Sequence, residues 1–225
     1  MPASTIAKLG APVVNAFFKN STRQSKIPDS ATMLLPGVGS SALPLGEGVA
    51  VQRLGFGTWA WGNKLLWGYE EDADVELQAA FDAAICRSSL LDRRRFFFDT
   101  GDSYGTGALE GRAEELLGRF RRRNADPRRC VIGTKLAVYP NRLTGASFED
   151  ACRASLARMG QERLELVQAH WSARNLQPWQ EPALWDGLAR CHEAGLANAV
   201  GTSNFGPKQL ARVNAYWRER GVPHA

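Results

Sequence analysis

Several features that define other protein classes are absent from this 225-residue sequence. It has no apolar run of about eighteen residues, the length that a helix needs to cross a membrane, so no membrane span is predicted. It has no C-x-x-C pair, which argues against a zinc site and a disulfide framework. We therefore expect no metal centre, and we expect reduced thiols at the cysteine positions, which are Cys86, Cys130, Cys152 and Cys191.

Acidic residues are outnumbered, and the formal net charge is +5. Most of the excess lies in two arginine-rich stretches, residues 93–95 and 119–129. A basic surface can bind nucleic acid, but neither stretch has the interleaved aromatic pattern of a base-stacking surface. The favoured interpretation is a pair of solvated faces next to buried strands, with no nucleic-acid partner. Positive charge also attracts anionic ligands, and a phosphorylated cofactor is one of them.

Acidic residues are especially scarce near the N-terminus, where residues 1–48 contain only Asp29 and Glu47. Ser, Thr, Ala and Pro are present throughout this segment, and no apolar periodicity persists in it. Two interpretations stay open: an organelle transit peptide, which has such a composition, or a disordered extension of a cytoplasmic enzyme. In both, the folded domain is predicted to occupy residues 49–225.

From about residue 50 onward, short apolar segments alternate with longer segments of helical periodicity. The alternation predicts strands at 51–59, 95–99, 130–135, 164–170 and 197–201, and helices at 72–88, 109–123, 147–159, 183–193 and 207–220. The apolar face of the first helix is predicted to consist of Val75, Ala79, Ala83 and Cys86. Ser147, with Asp150 downstream, is expected to cap the third helix.

Strict alternation of strands and helices predicts a parallel sheet with right-handed crossovers. An open doubly wound sheet and a TIM-type (β/α)8 barrel both satisfy this order. The open sheet should carry the fingerprint G-x-G-x-x-G in its first strand–helix turn. The segment from Gly55 to Ala60 fails that pattern at its last position, and the first helix begins too late. The predicted α/β fold is therefore a TIM-type barrel of which about five strand–helix units are present.

Polar residues mark the C-terminal ends of the predicted strands, where a barrel gathers its functional side chains around one mouth. Asp99, Lys135 and His170 end three consecutive strands. Tyr104 follows in the loop after Asp99. The other polar residues at strand ends are Thr58, Ser203 and Asn204. We therefore expect an acid, a cation, an imidazole and a phenol to converge at this mouth.

Five segments together resemble the aldo-keto reductase family, in the order and at the intervals of that family. The segment FFDTGDSYG (97–105) is similar to the motif that carries the family's catalytic Asp and Tyr. The other segments are LGFGTW (54–59), GTK (133–135), LVQAHW (166–171) and VGTSNF (200–205). The resemblance covers residues 50–225 and is nearest to plant and algal plastid-type members. It implies a plastid location, with the cytoplasm as the alternative.

The resemblance implies that the protein reduces small aldehydes or ketones by hydride transfer from NADPH. Tyr104 would protonate the alkoxide, and the ammonium of Lys135 would stabilise the phenolate that remains. Asp99 would hold that lysine in place, and a neutral His170 would orient the substrate oxygen. No metal is needed in this scheme. The residues that the resemblance implies for cofactor binding are Gly57, Thr58, Trp59, Ser203 and Asn204.

The resemblance also predicts a shortfall, because three further strand–helix units, roughly 90 residues, would follow residue 225 in a whole barrel. In the family these units carry the loops that clamp the cofactor's pyrophosphate and 2′-phosphate. Two hypotheses stay open: a reductase present here as a part, and a catalytically inactive remnant that acts as a binding or regulatory module. A smaller departure is Gly101-Asp102, where the family usually has Ala-Glu. We expect it to change loop shape rather than chemistry.

Overall fold

The computed structural model describes residues 43–45, 49–91, 95–174 and 177–225. Most of the predicted N-terminal extension lies outside the described residues, as do the arginines at 93 and 94, so the extension stays a prediction. Among the helices in the described ranges, none is long and apolar enough to cross a membrane.

A six-stranded sheet organises the fold, and its strands are neighbours in sequence order. The first pair is antiparallel and every later pair is parallel. The strands are β1 (Leu43–Pro44), β2 (Ala50–Gly57), β3 (Arg95–Asp99), β4 (Cys130–Leu136), β5 (Leu164–Ala169) and β6 (Ala197–Thr202). A doubly wound sheet reverses its strand order at a switch point, whereas barrel strands follow one another. The predicted incomplete barrel is therefore confirmed.

The hairpin formed by β1 and β2 was not predicted from the sequence. Leu43 pairs with Val51 and Pro44 with Ala50, and the Leu45 N–H donates to the Val49 carbonyl at 2.8 Å. A strand of two residues is too short to show any hydrophobic alternation, which explains why the sequence gives no sign of it.

Helices cover the outer face of the sheet and share one continuous apolar core with it. They are α1 (Lys64–Trp67), α2 (Asp74–Leu91), α3 (Arg112–Arg123), α4 (Gly145–Met159), α5 (Glu181–Glu193) and α6 (Pro207–Glu219). Phe98 of β3 is fully buried, and its ring stacks on Phe81 of α2 with centroids 4.7 Å apart. Phe120 of α3 also packs against Phe81, with ring centroids 6.0 Å apart. This packing holds the strands whose C-terminal ends form the site.

The predicted buried face of α2 is wrong. Val75 is 77% exposed, and Ala79, Ala83 and Cys86 are exposed as well. The buried positions are instead Phe81 and Ile85, at 1% and 3% exposure. Both faces of this helix carry apolar residues, and the face with the phenylalanine and isoleucine has far more apolar area to remove from water.

The predicted cap of α4 is also wrong. Thr144 is the N-cap, and its hydroxyl accepts a hydrogen bond from the Ser147 N–H at 3.2 Å. Ser147 stands three residues later and accepts in return from the Thr144 N–H, also at 3.2 Å. The two residues form a reciprocal capping box in which a serine takes the place usually held by Glu or Gln.

Candidate active site

The C-terminal ends of the strands are tied to one another by backbone hydrogen bonds that continue past the strands themselves. The Thr58 N–H donates to the Asp99 carbonyl at 3.0 Å, and the Thr100 N–H to the Gly133 carbonyl at 2.9 Å. The His170 N–H donates to the Leu136 carbonyl at 3.1 Å. Because consecutive strand ends are level in this way, the side chains predicted to converge do meet at one edge of the sheet.

Lys135 is the centre of this cluster. Its side chain is 7% exposed, and its ammonium donates three hydrogen bonds. The acceptors are Asp99 Oδ2 at 2.6 Å, the Thr100 carbonyl at 3.0 Å and Tyr104 Oη at 3.1 Å. An ammonium has three protons to donate, so this buried charge is fully satisfied.

Asp99 is held from two further directions. Its carbonyl accepts from the Thr58 hydroxyl at 3.2 Å, and its Oδ1 lies 3.4 Å from Gln168 Nε2. Gln168 was not predicted as a site residue. The available signal was its spacing, because it lies two residues before His170 in the predicted strand 164–170, and residues two apart in a strand face the same side.

His170 lies beside Tyr104, and their ring centroids are 5.5 Å apart in an edge-to-face arrangement. Burial of the imidazole, with the positive charge of Lys135 as a second cause, lowers the pKa of His170 from 6.5 to about 4. The ring is therefore neutral at physiological pH. Its Nδ1 is 3.3 Å from the Ser103 hydroxyl, and Trp171 packs against it with a centroid distance of 4.5 Å.

The residues predicted to bind a cofactor lie in two groups, one at the C-terminal end of β2 and the other directly after β6. Thr58 is fully buried, and its hydroxyl donates to the backbone carbonyl of Asp99, so it supports the position of that residue. Gly57 is exposed, and a Cβ built on it meets no atom within 4 Å. Trp59 is 50% exposed and makes an edge contact with Trp67 at 5.9 Å. The structure therefore leaves open surface beside the cluster at the end of β2.

At the opposite side, Asn204 has a left-handed backbone, with φ of 59°. Its Nδ2 donates to the His170 carbonyl at 3.0 Å and to the Ser203 hydroxyl at 3.2 Å. The Ser203 N–H donates to the Ala169 carbonyl at 2.8 Å, which continues the ladder from β5 to β6. Asparagine tolerates this backbone conformation better than most residues. In this conformation the Asn204 amide reaches the His170 carbonyl.

Metal-binding potential is low in the part of the chain that the structure describes, because no group of three or more His, Cys, Asp or Glu side chains is arranged to hold an ion there. The cluster consists of the carboxylate of Asp99, the ammonium of Lys135, the phenol of Tyr104 and the neutral imidazole of His170. Such a set can hold and deliver a proton at Tyr104 Oη.

Comparison with known proteins gives a consistent picture. A sequence profile of the aldo/keto reductase family matches residues 53–225. The chain is 48% identical over 179 residues to pyridoxal reductase, chloroplastic, from Arabidopsis thaliana, covering 78% of this chain and 47% of that protein. It is 28% identical over 178 residues to the aldo-keto reductase YhdN of Bacillus subtilis, covering 75% of this chain and 48% of that protein.

A solved structure of an aldo/keto reductase from Klebsiella pneumoniae, in complex with NADP and acetate, superposes with a TM-score of 0.59 at 26% identity. The match covers 79% of this chain and 53% of that one. The chain therefore spans about half the length of the curated relatives it matches. Since the family profile covers well over half of the sequence, and the strand order is that of a barrel, the chain belongs to the aldo/keto reductase family.

Proposed function

We propose that this chain carries the catalytic side chains of an NADPH-dependent carbonyl reductase, which converts an aldehyde or ketone into an alcohol. The observation that carries the proposal is the position of Lys135 Nζ, which bonds at once to Asp99 Oδ2 at 2.6 Å and to Tyr104 Oη at 3.1 Å. A buried ammonium in contact with a phenol favours loss of the phenolic proton at the moment when an acceptor develops negative charge.

When bound, NADPH would supply the hydride that adds to the carbonyl carbon. Tyr104 donates its phenolic proton to the carbonyl oxygen as that oxygen becomes an alkoxide. Lys135 stabilises the phenolate left on the tyrosine, and Asp99 holds the ammonium in place. His170 is neutral and lies beside Tyr104, so it can orient the substrate oxygen without competing for the proton.

The residues around the cluster fit the nicotinamide end of such a cofactor. Ser203 and Asn204 present a hydroxyl and an amide next to His170, and these groups suit a carboxamide, which both donates and accepts. Gly57 leaves open space at the end of β2, where a flat ring can approach the backbone. We propose that these three residues, with Trp59, hold the nicotinamide, and that the buried Thr58 contributes indirectly through its bond to Asp99.

For the substrate, we propose an aromatic aldehyde such as pyridoxal. The support is the 48% identity to a chloroplastic pyridoxal reductase over 179 residues. Two aromatic side chains agree with a flat substrate: Trp171, which packs on His170 at 4.5 Å, and Trp59, which follows the end of β2 and is half exposed. Aromatic rings prefer offset or edge contacts with other rings, which these two can supply.

We further propose that residues 1–48 direct the protein to plastids. The support is their acid-poor composition together with the chloroplastic relative. Fusion of residues 1–48 to a fluorescent protein tests this in plant cells. Plastid fluorescence is the expected result, and diffuse cytoplasmic fluorescence would favour the second interpretation, an extension without a targeting role.

The reductase proposal is tested by titrating the chain with NADPH while recording the fluorescence of its seven tryptophans. Pyridoxal is then added, and the formation of the alcohol is measured. Saturable quenching followed by turnover is the expected result, with weaker quenching by NADH. Quenching without turnover would favour the alternative, a binding or regulatory module. Absence of both signals would contradict the reductase proposal for this chain.

A further inference from the structure

One buried carboxylate near Tyr104 has no role in the proposed chemistry. The Asp102 side chain is 1% exposed. Its Oδ1 accepts from the Ala137 N–H at 2.9 Å, and its Oδ2 accepts from Arg142 Nη1 at 2.6 Å. The Asp102 N–H donates to the Lys135 carbonyl at 2.9 Å. A single residue of the loop is therefore bonded at three points to β4 and to the segment that follows it.

Arg142 is itself fixed in place. Its Nη1 also donates to the Ala137 carbonyl at 2.7 Å, and its guanidinium lies 4.9 Å from the centre of the Tyr139 ring. The Arg142 side chain is 17% exposed, so its bond to Asp102 is poorly screened by solvent. Charge-assisted hydrogen bonds in such surroundings are stronger and shorter than neutral ones, whereas exposed ion pairs contribute little.

The turn that Asp102 holds also determines where the Tyr104 ring lies. The Tyr104 N–H donates to the Gly101 carbonyl at 3.0 Å, which folds the tyrosine back over the turn. A Cβ on Gly101 would lie only 3.1 Å from Tyr104 Cε1. The ring therefore rests directly on the backbone of the turn, and any movement of the turn carries the phenol with it.

We propose that Asp102, through its bond to Arg142, is a positioning residue that keeps Tyr104 Oη within hydrogen-bond distance of Lys135 Nζ. This inference rests on the proposed function, in which Tyr104 is the proton donor. Asp102 acts through the backbone of its turn and of β4, to which Lys135 belongs.

Tyrosine NMR tests the positional claim without any turnover. The sequence has four tyrosines, so ring-labelled protein gives four signals, and the Tyr104 signal is the one lost in Tyr104→Phe. Asp102→Asn keeps the size of the side chain but removes the charge that binds Arg142. We expect the Tyr104 signal to shift or broaden in this variant. The matched control is Arg153→Gln, which removes an arginine–carboxylate pair at a side chain that is 53% exposed, and it should leave the signal in place.

Kinetics supply the second readout. In Asp102→Asn we expect kcat to fall by about 10- to 100-fold, because a misplacement of about 1 Å costs roughly that much, with a much smaller change in KM. Asp102→Glu restores the charge and should recover part of kcat. Arg142→Gln should behave like Asp102→Asn, and the double variant should be no slower than the slower single one, because the two residues act as a unit.

The results separate the two proposals. An unchanged Tyr104 signal in Asp102→Asn, or a kcat equal to that of the wild type, would overturn the positioning role and leave the proposed function standing. A wild-type kcat in Tyr104→Phe would instead overturn the proposed function, and the NMR comparison would still decide whether Asp102 positions the ring. If Asp102→Asn fails to fold, Arg142→Gln takes its place in both experiments.

Discussion

The ion pair between the buried Glu114 and Arg158, whose side chain is 27% exposed, offers a test of how the helices hold β4. Glu114 of α3 is fully buried, and it bonds to the Thr134 hydroxyl and to Arg158 Nε, the latter at 2.7 Å. Arg158→Met keeps the stem that packs against Gly111 but removes the charge. Because a carboxylate left buried without its cation typically costs 3–5 kcal/mol, we expect a loss of roughly 3–5 kcal/mol in the free energy of unfolding at pH 7.

The loss should depend on pH in a defined direction. Burial raises the pKa of Glu114 above its ordinary value of 4.5, and removal of Arg158 raises it further. A group whose pKa is higher in the folded state favours folding when it is protonated, so the destabilisation should shrink as pH falls toward 4.5 and grow as pH rises. Urea denaturation at pH 5 and pH 7, followed by circular dichroism, measures this difference.

A second substitution provides the control. Adding Glu114→Gln to Arg158→Met replaces the buried charge by a neutral amide of the same shape, so the double variant should be more stable than Arg158→Met at pH 7. A loss below about 1 kcal/mol in the single variant, or no recovery in the double variant, would refute the reasoning, because both results would mean that Glu114 needs no cation.

Three further predictions follow from the packing and from the imidazole. Phe81→Ala should lower the free energy of unfolding by about 3–5 kcal/mol, whereas Val75→Ala on the exposed face of the same helix should be nearly neutral in urea denaturation. Equal effects would mean that the corrected face is wrong. Gly118→Ala should destabilise by about 1–3 kcal/mol in the same assay, because its Cβ would clash with the Met159 carbonyl oxygen; a neutral result would contradict this close helix contact. The lowered pKa of His170, about 4, means that the unfolded chain takes up a proton below pH 6.5 while the folded chain does not, so stability should fall between pH 6.5 and 4, and His170→Asn should lose this part of the pH dependence. Equal urea midpoint profiles would contradict that shift.

Much of the fold could be predicted because the strands are short apolar runs ended by polar residues. Observed β4, Cys130–Leu136, differs by one residue from the predicted 130–135, and β5, Leu164–Ala169, differs by one from 164–170. Strand ends were therefore known closely enough to predict that Asp99, Lys135 and His170 would meet. Their roles in proton transfer remain a proposal.

Features that depend on contacts between distant segments could not be predicted. The buried face of α2 depends on which of two apolar faces offers more area to Phe98, and helical periodicity alone does not decide this. Asp102 bonds to Ala137 and Arg142, which lie 35 and 40 residues away in sequence, and nothing near Asp102 marks those partners. The cap at Thr144 was missed because a serine stands where a capping box usually has Glu or Gln.

The most direct test of the proposed chemistry is the rate of carbonyl reduction in Tyr104→Phe, with NADPH in excess, compared with Tyr216→Phe. Tyr216 lies on α6, where its hydroxyl accepts from Arg220, so it controls for loss of a phenol elsewhere. We predict that Tyr104→Phe lowers kcat by about 10²- to 10⁴-fold, the contribution of a general acid, while Tyr216→Phe leaves it unchanged. Equal rates in the two variants would mean that Tyr104 is not the proton donor and would contradict the account.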